Sequence, residues 1–314
     1  MNRIRVTVAV FFGVLMVALP AFSQKDSRPG QGRAIVTMLS THSGEDVANV
    51  SPQNIKVKVG GRESSVTGWK PVKGPVELVL LIDNSARTSL GQEFNDITDF
   101  VKEMPANTQM TIAYMENGRA ALTGPFSPDA SQVLKGLRVP SGPPGSNASP
   151  YFCLSDLAKN WPSNDRSARR EVVMVTDGVD NYERQYDPDD PYVQSAINDS
   201  IRAGLVVYSI YWRDMGRINS TAYESNAGQN LLLQVDQATG GTNYWEGIGN
   251  PVSFAPYFND LRRRLNHQYE LTVDAPFDGK PKVESMKVEL QVKTAKVEAP
   301  QMVFIGPVRV SSGE

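Results

Sequence analysis

Asp83, Ser85, Ser149 and Asp177 are the residues whose types and surroundings could do chemistry. Asp83 and Ser85 lie in "LLIDNSARTSLG", where an apolar run over residues 76–82 ends abruptly in an acid, an amide and a hydroxyl. Asp177 ends a second apolar run, in "VVMVTDGVDN". Between them, "PGSNASPYFCLSDL" is a glycine- and serine-rich loop running into a helix, which brings Ser146 and Ser149 into the same neighbourhood. Two carboxylates with hydroxyls are hard oxygen donors. They suit Mg2+, Mn2+ or Ca2+ rather than zinc, which prefers His or Cys. The plainer reading is that Asp83 and Asp177 bind loop amides or cap helices, Asp-Gly being a common turn. Asp180 and Asn181 read as supporting or turn residues, and the sequon Asn147-Ala148-Ser149 as incidental.

The elements that must position these groups follow from hydrophobic period. Residues 76–82 and 171–176 are continuous apolar strands of the kind buried on both faces of a sheet. A helix is expected from Ser89, with Gln92 as capping partner and Leu90, Phe94, Ile97 and Val101 as its inward stripe. Strands at 108–115 and 205–212 and helices around 129–137, 193–201 and 254–265 complete an alternation that predicts an α/β fold, a doubly wound, mostly parallel sheet over residues 76–267. In such sheets ligands bind outside the carboxyl ends of the strands. The flanks differ. Ile55, Val57 and Val59 alternate with lysines before Gly60-Gly61, a hairpin signal, and Met286, Val288, Leu290 and Val292 alternate likewise. The flanks, 33–75 and 268–314, are expected to pair as a small β accessory region.

The 314 residues carry 32 basic and 34 acidic side chains, and no block of like charge supports nucleic-acid binding. A basic start, an apolar run over 6–19 and small residues at Ala21 and Ser23 match a cleaved signal peptide, residues 1–23, followed by a disordered leader at 24–32. Cleavage would remove Arg3 and Arg5 and no acid, leaving 30 basic against 34 acidic groups, net −4. The expected location is therefore periplasmic or extracellular, with no permanent membrane anchor after cleavage. Cys153 is the one cysteine, so no internal disulfide forms, and its apolar neighbours mark it as a buried small residue. His42 and His267 lack companions at metal-ligand spacing, and G-x-S-x-G, P-loop and G-x-G-x-x-G patterns are missing, which removes the usual hydrolase and nucleotide readings. Tyr211, Trp212, Tyr244 and Trp245 read first as buried aromatics and second as partner anchors.

The D-x-S strand end followed by a helix, together with "VVMVTDGVDN", resembles the von Willebrand factor A (VWFA) domain and its metal-ion-dependent adhesion site. The layout as a whole further resembles the VWFA-related proteins of acidobacteria. The resemblance implies an interaction domain without catalysis, in which Asp83, Ser85, Ser149 and Asp177 hold a divalent ion that an acidic group of a partner protein completes. The family pattern is D-x-S-x-S, and here Arg87 replaces the second serine. Two arrangements then satisfy the sequence. Folded inward, Arg87 pairs with Asp83 or Asp177 and substitutes for the ion. Pointing outward, it leaves Ser85, Ser149, Asp177 and waters to hold Mg2+. A structural or assembly protein of the cell envelope using its β flanks, the ion site vestigial, is the alternative; an acid–base enzyme built on Asp83 and Asp177 ranks last.

Overall fold

The computed structural model describes residues 29–41, 50–86, 88–143, 145–183, 185–213, 221–247 and 249–308. The expected signal peptide, His42 and Arg87 lie outside them. The chain begins with β1 (Pro29–Ser40), β2 (Ile55–Val59) and β3 (Arg62–Pro71), and continues with β4 (Val76–Asp83), α1 (Phe94–Lys102), β5 (Thr108–Glu116) and β6 (Arg119–Leu122). Next come α2 (Ala130–Leu134), α3 (Pro150–Lys159), β7 (Arg169–Thr176), α4 (Pro191–Ala203) and β8 (Leu205–Tyr211). After α5 (Ala222–Thr239), β9 (Asn243–Tyr244) and α6 (Ala255–Asn266), the chain returns to strands: β10 (Gln268–Pro276), β11 (Lys282–Leu290), β12 (Ala295–Glu298) and β13 (Met302–Pro307).

The flank strands correct the fold class expected from the sequence. They do not form a small accessory to one doubly wound, mostly parallel sheet. In the order β10-β3-β2-β11-β13-β1, with β1 pairing back onto β10, they close a six-stranded barrel in which every pairing is antiparallel. β12 adds to the outer half of β1. The second sheet, β6-β5-β4-β7-β8-β9, is mixed: β4 runs parallel to β5 and β7, β7 to β8 and β8 to β9, while β6 turns back antiparallel along β5. The cause is long-range. Alternation marks β2 and β11 as strands, but closure depends on β1 meeting β10, whose pairs run from Pro29↔Pro276 to Thr37↔Gln268. β1 also starts at Pro29, inside the segment expected as leader.

Each unit has its own core. Inside the barrel, Val36, Met38, Val57, Val273, Val303 and Ile305 are buried. Its β2–β3 hairpin turns at Gly60 and Gly61, both at positive φ (56° and 75°), as a two-residue turn between right-twisted strands requires. In the mixed sheet, β4 is buried along its whole length and faces two helical layers alternately. Leu78, Leu80 and Ile82 meet α1 and α6, through Ile97, Phe100, Phe258 and Leu261. Val79 and Leu81 meet α3, α4 and α5, through Leu154, Val193, Leu232 and Val235. Burying each such side chain stabilises the fold by about 1.5–3 kcal/mol. The expected capping box at Ser89 does not form: residues Thr88–Glu93 are 3-10 helix, Ser89 Oγ donates to the carbonyl of Ala86, and the α-helix starts only at Phe94.

The mixed sheet is an insertion in a barrel hairpin. Pro71, at the end of β3, pairs with Tyr269 near the start of β10, and the amide of Val72 donates to the carbonyl of Gln268 at 3.0 Å. Arg169, at the foot of β7, reaches the carbonyl of Leu265 at 2.9 Å and the side chain of Gln268. Arg264 on α6 pairs with Asp260 and with Glu298 on β12. Among the described residues no helix is long and apolar enough to cross a membrane.

Candidate functional site

The carboxyl ends of β4 and β7 bring the loops after them against the loop that opens α3. β4 drives Asp83 to the sheet's edge because seven apolar or buried positions before it leave no other path. Its carboxylate is 2% exposed and clasped by donors. Oδ1 accepts from Ser85 N (2.9 Å) and Ser85 Oγ (2.6 Å); Oδ2 accepts from Asn147 Nδ2 (2.8 Å) and Thr176 Oγ1 (2.7 Å). The three chain segments are therefore joined at one carboxylate. A carboxylate can only accept, so both hydroxyl protons are committed to Asp83; the oxygen of Ser85 keeps its lone pairs, while that of Thr176 accepts from the amide of Gly178 at 3.2 Å.

The middle loop is shaped by its backbone. Ala148 has φ of 62°, a left-handed conformation that costs an alanine about 1 kcal/mol. It turns the chain so that Asn147 goes to Asp83 while Ser149 becomes the N-cap of α3, accepting from Tyr151 N at 3.3 Å. Ser149 Oγ donates to Asp180 Oδ2 at 2.9 Å. Asn181 ties the same loop down, its side chain to Asn147 Oδ1 (2.8 Å) and its amide to the carbonyl of Ala148 (3.2 Å). Tyr151, fully buried, donates to the carbonyl of Gly178 at 2.8 Å.

Asp177 has a different part. Its Oδ1 accepts from the amide of Val179 at 3.0 Å, closing the turn after β7. Gly178 follows at φ 70°, and a Cβ there would lie 2.5 Å from the carbonyl of Gly228 on α5. The Thr-Asp-Gly sequence thus lets the strand end pack directly on a helix, a backbone approach that only glycine permits. Burial raises the pKa of Asp180 from its ordinary value, opposed by hydrogen bonds from the amide of Tyr182 and from Ser149.

The donor set is oxygen only, which fits a hard divalent cation, with Ser85 and Ser149 as the hydroxyl ligands. Among the described residues no three His, Cys, Asp or Glu side chains group at metal-binding distance, so an ion here would lean on hydroxyls and waters. Of the residues expected from the sequence, Asp83 and Ser85 are in contact. Ser149 is joined to them through its loop but pairs with Asp180, and Asp177 shapes the turn beside them. Sequence reasoning missed Asn147 and Thr176 as partners of Asp83. The sequence marks Asn147 only as part of an incidental sequon, and it is fully buried. Cys153 is buried and burial pushes its thiol well up, as befits an inert apolar residue. Tyr211, Trp212 and Tyr244 are core residues, and Trp245 is 36% exposed.

No protein-family model matches the sequence, and no curated protein matches it. Among solved structures, the chain is similar to an aerotolerance-related membrane protein from Bacteroides fragilis, at 13% identity and a TM-score of 0.41, over 61% of this chain and 98% of that one. It is similar to the conserved hypothetical protein BatB from Bacteroides thetaiotaomicron, at 12% identity and a TM-score of 0.40, over 60% and 97%. The SpRpn10 VWA domain matches at 11% identity and a TM-score of 0.35, over 57% and 97%. At these values the likeness is one of general outline and bears on no residue or activity.

Proposed function

We propose that the strand-end face of the mixed sheet is a degenerate adhesion site of the VWFA kind, in an exported protein that binds another protein and performs no catalysis. The observation that supports this reading is the clasp on Asp83. Three chain segments converge on one buried carboxylate, and each of the hydroxyls of Ser85 and Ser149 gives its proton to a carboxylate, which leaves oxygen lone pairs on Ser85, and one on Ser149 beside the one that caps α3, for a cation. A divalent ion bound there would supply a positive charge on which an acidic group of the partner closes. Arg87, two residues past Ser85, is the alternative source of that charge. The carboxylates are committed as hydrogen-bond acceptors, which suits electrostatic positioning better than proton transfer.

The test is thermal stability with Mg2+, Mn2+ and Ca2+ against chelator, in the wild type, in Arg87→Ser and in Ser85→Ala. An ion that binds the folded state raises its stability by mass action, by about 2.7 kcal/mol at a hundredfold excess over Kd. A rise in the wild type that Ser85→Ala abolishes identifies a working ion site. A rise in Arg87→Ser alone makes Arg87 the resident charge. No rise in any variant overturns the proposal.

A further inference from the structure

We infer that a hollow beside this face docks a protein segment carrying lysine or arginine side chains. Residues 182–192 read "YERQYDPDDPY", three tyrosines and four acids against one arginine. Tyr182, Glu183, Tyr186, Asp187 and Tyr192 line an open hollow of about 600 Å3. The tyrosines are exposed and grouped: Tyr182 by 67%, Tyr192 by 45%, Tyr186 by 41%, and the neighbouring Tyr223 by 57%. Large, rigid rings of this kind bury much area at low entropic cost when a partner covers them, which is why tyrosine concentrates in interfaces.

The hollow is held in shape before any partner arrives. Tyr182 and Tyr192 pack on Phe152 with ring centroids 5.1 and 4.8 Å away, and Tyr223 Oη accepts from the amide of Tyr186 at 3.2 Å. Gln194 and Gln234 both donate to the carbonyl of Pro188, at 2.9 and 2.8 Å. Asp190 is used internally, capping α4 through the amides of Tyr192 and Val193. Glu183, Asp187 and Asp189 remain on the exposed side. Tyrosine faces attract a cation and the carboxylates add to that field, so the occupant is cationic. A proline-rich segment would use the rings but not the carboxylates. The hollow adjoins the adhesion face directly, since the amide of Tyr182 donates to Asp180 at 2.7 Å.

The proposal rests on the preceding one only in taking the partner to be a protein. Fluorescence anisotropy with labelled oligolysine and oligoproline peptides, in chelator and at physiological salt, tests it independently of any ion. Oligolysine binds the wild type, and Tyr182→Ala with Tyr186→Ala weakens it about tenfold, the scale of one or two lost cation–π contacts. The corresponding Phe variants keep most of the affinity, which separates ring chemistry from folding defects. Asp187→Asn with Asp189→Asn reduces both affinity and its salt dependence. Equal affinity in the alanine variants, no oligolysine binding, or tighter binding of oligoproline overturns the inference.

Discussion

Asp83 and Glu171 are carboxylates buried at opposite ends of the same sheet, and they are treated in opposite ways. Asp83, at the end of β4, is gripped by donors from three chain segments. Glu171, near the start of β7, is fully buried, and among the described residues neither of its oxygens meets a donor in good geometry. Its neighbour Arg169 spends its guanidinium on Leu265 and Gln268 at the junction with the barrel. Desolvation accordingly lifts the pKa of Glu171 to about 7, tempered by the charge of Arg169 and the nearness of Gln268. One end of the sheet carries a prepared polar site. The other carries a carboxyl that is comfortable only when protonated. Burial alone therefore does not mark a site; the number and origin of the donors do.

The comparison can be broken first at Asp83. Replacing it with alanine strands the buried side chain of Asn147 and the hydroxyls of Ser85 and Thr176 without their acceptor, and should cost about 3–4 kcal/mol by chemical denaturation. A loss under about 1 kcal/mol would mean the clasp does not hold the three loops. Glu171→Gln should act in the opposite direction. A group whose folded-state pKa is raised contributes its full stability below its unfolded value, here 4.5, and loses it as pH rises through about 7. The wild type should thus weaken between those values, and the glutamine variant should be more stable than it by about 3 kcal/mol at pH 8, with little difference at pH 4. Parallel pH curves for the two proteins would remove Glu171 from the comparison. The smallest effect is expected at Ser149→Ala, which removes a helix cap and the donor to Asp180, for about 1 kcal/mol. Thermal unfolding over pH should also show the transition of Asp180 moving upward in that variant.

Much of the inserted sheet was legible from period alone, because β4 and β7 are short apolar runs with an acid at the end and α6 shows its stripe at Phe258, Leu261 and Leu265. The Gly60-Gly61 hairpin was equally plain, since two glycines between alternating strands admit few other conformations. The barrel was not, because no local signal in β1 says that it will meet both β10 and β13. At the site, Asp83 and Ser85 could be read from their position past a strand. Asn147 could not: its role depends on the left-handed turn at Ala148, where the residue type gives no warning. The start of α1 was misplaced because Ser89 offers its hydroxyl to the preceding carbonyl of Ala86 rather than forward to the helix.

The hairpin insertion has a consequence for how the chain folds. Until the inserted sheet is formed, β3 and β10 are separated by residues 72–267, and bringing them together closes a loop of about 200 residues. Once it is folded, its two ends lie side by side and act as a short turn between those strands. On loop-closure entropy the difference is roughly 3–4 kcal/mol in favour of barrel closure. The inserted unit is thus the barrel's folding template, and damage to its core should be felt as a late, slow closure of strands that lie outside it.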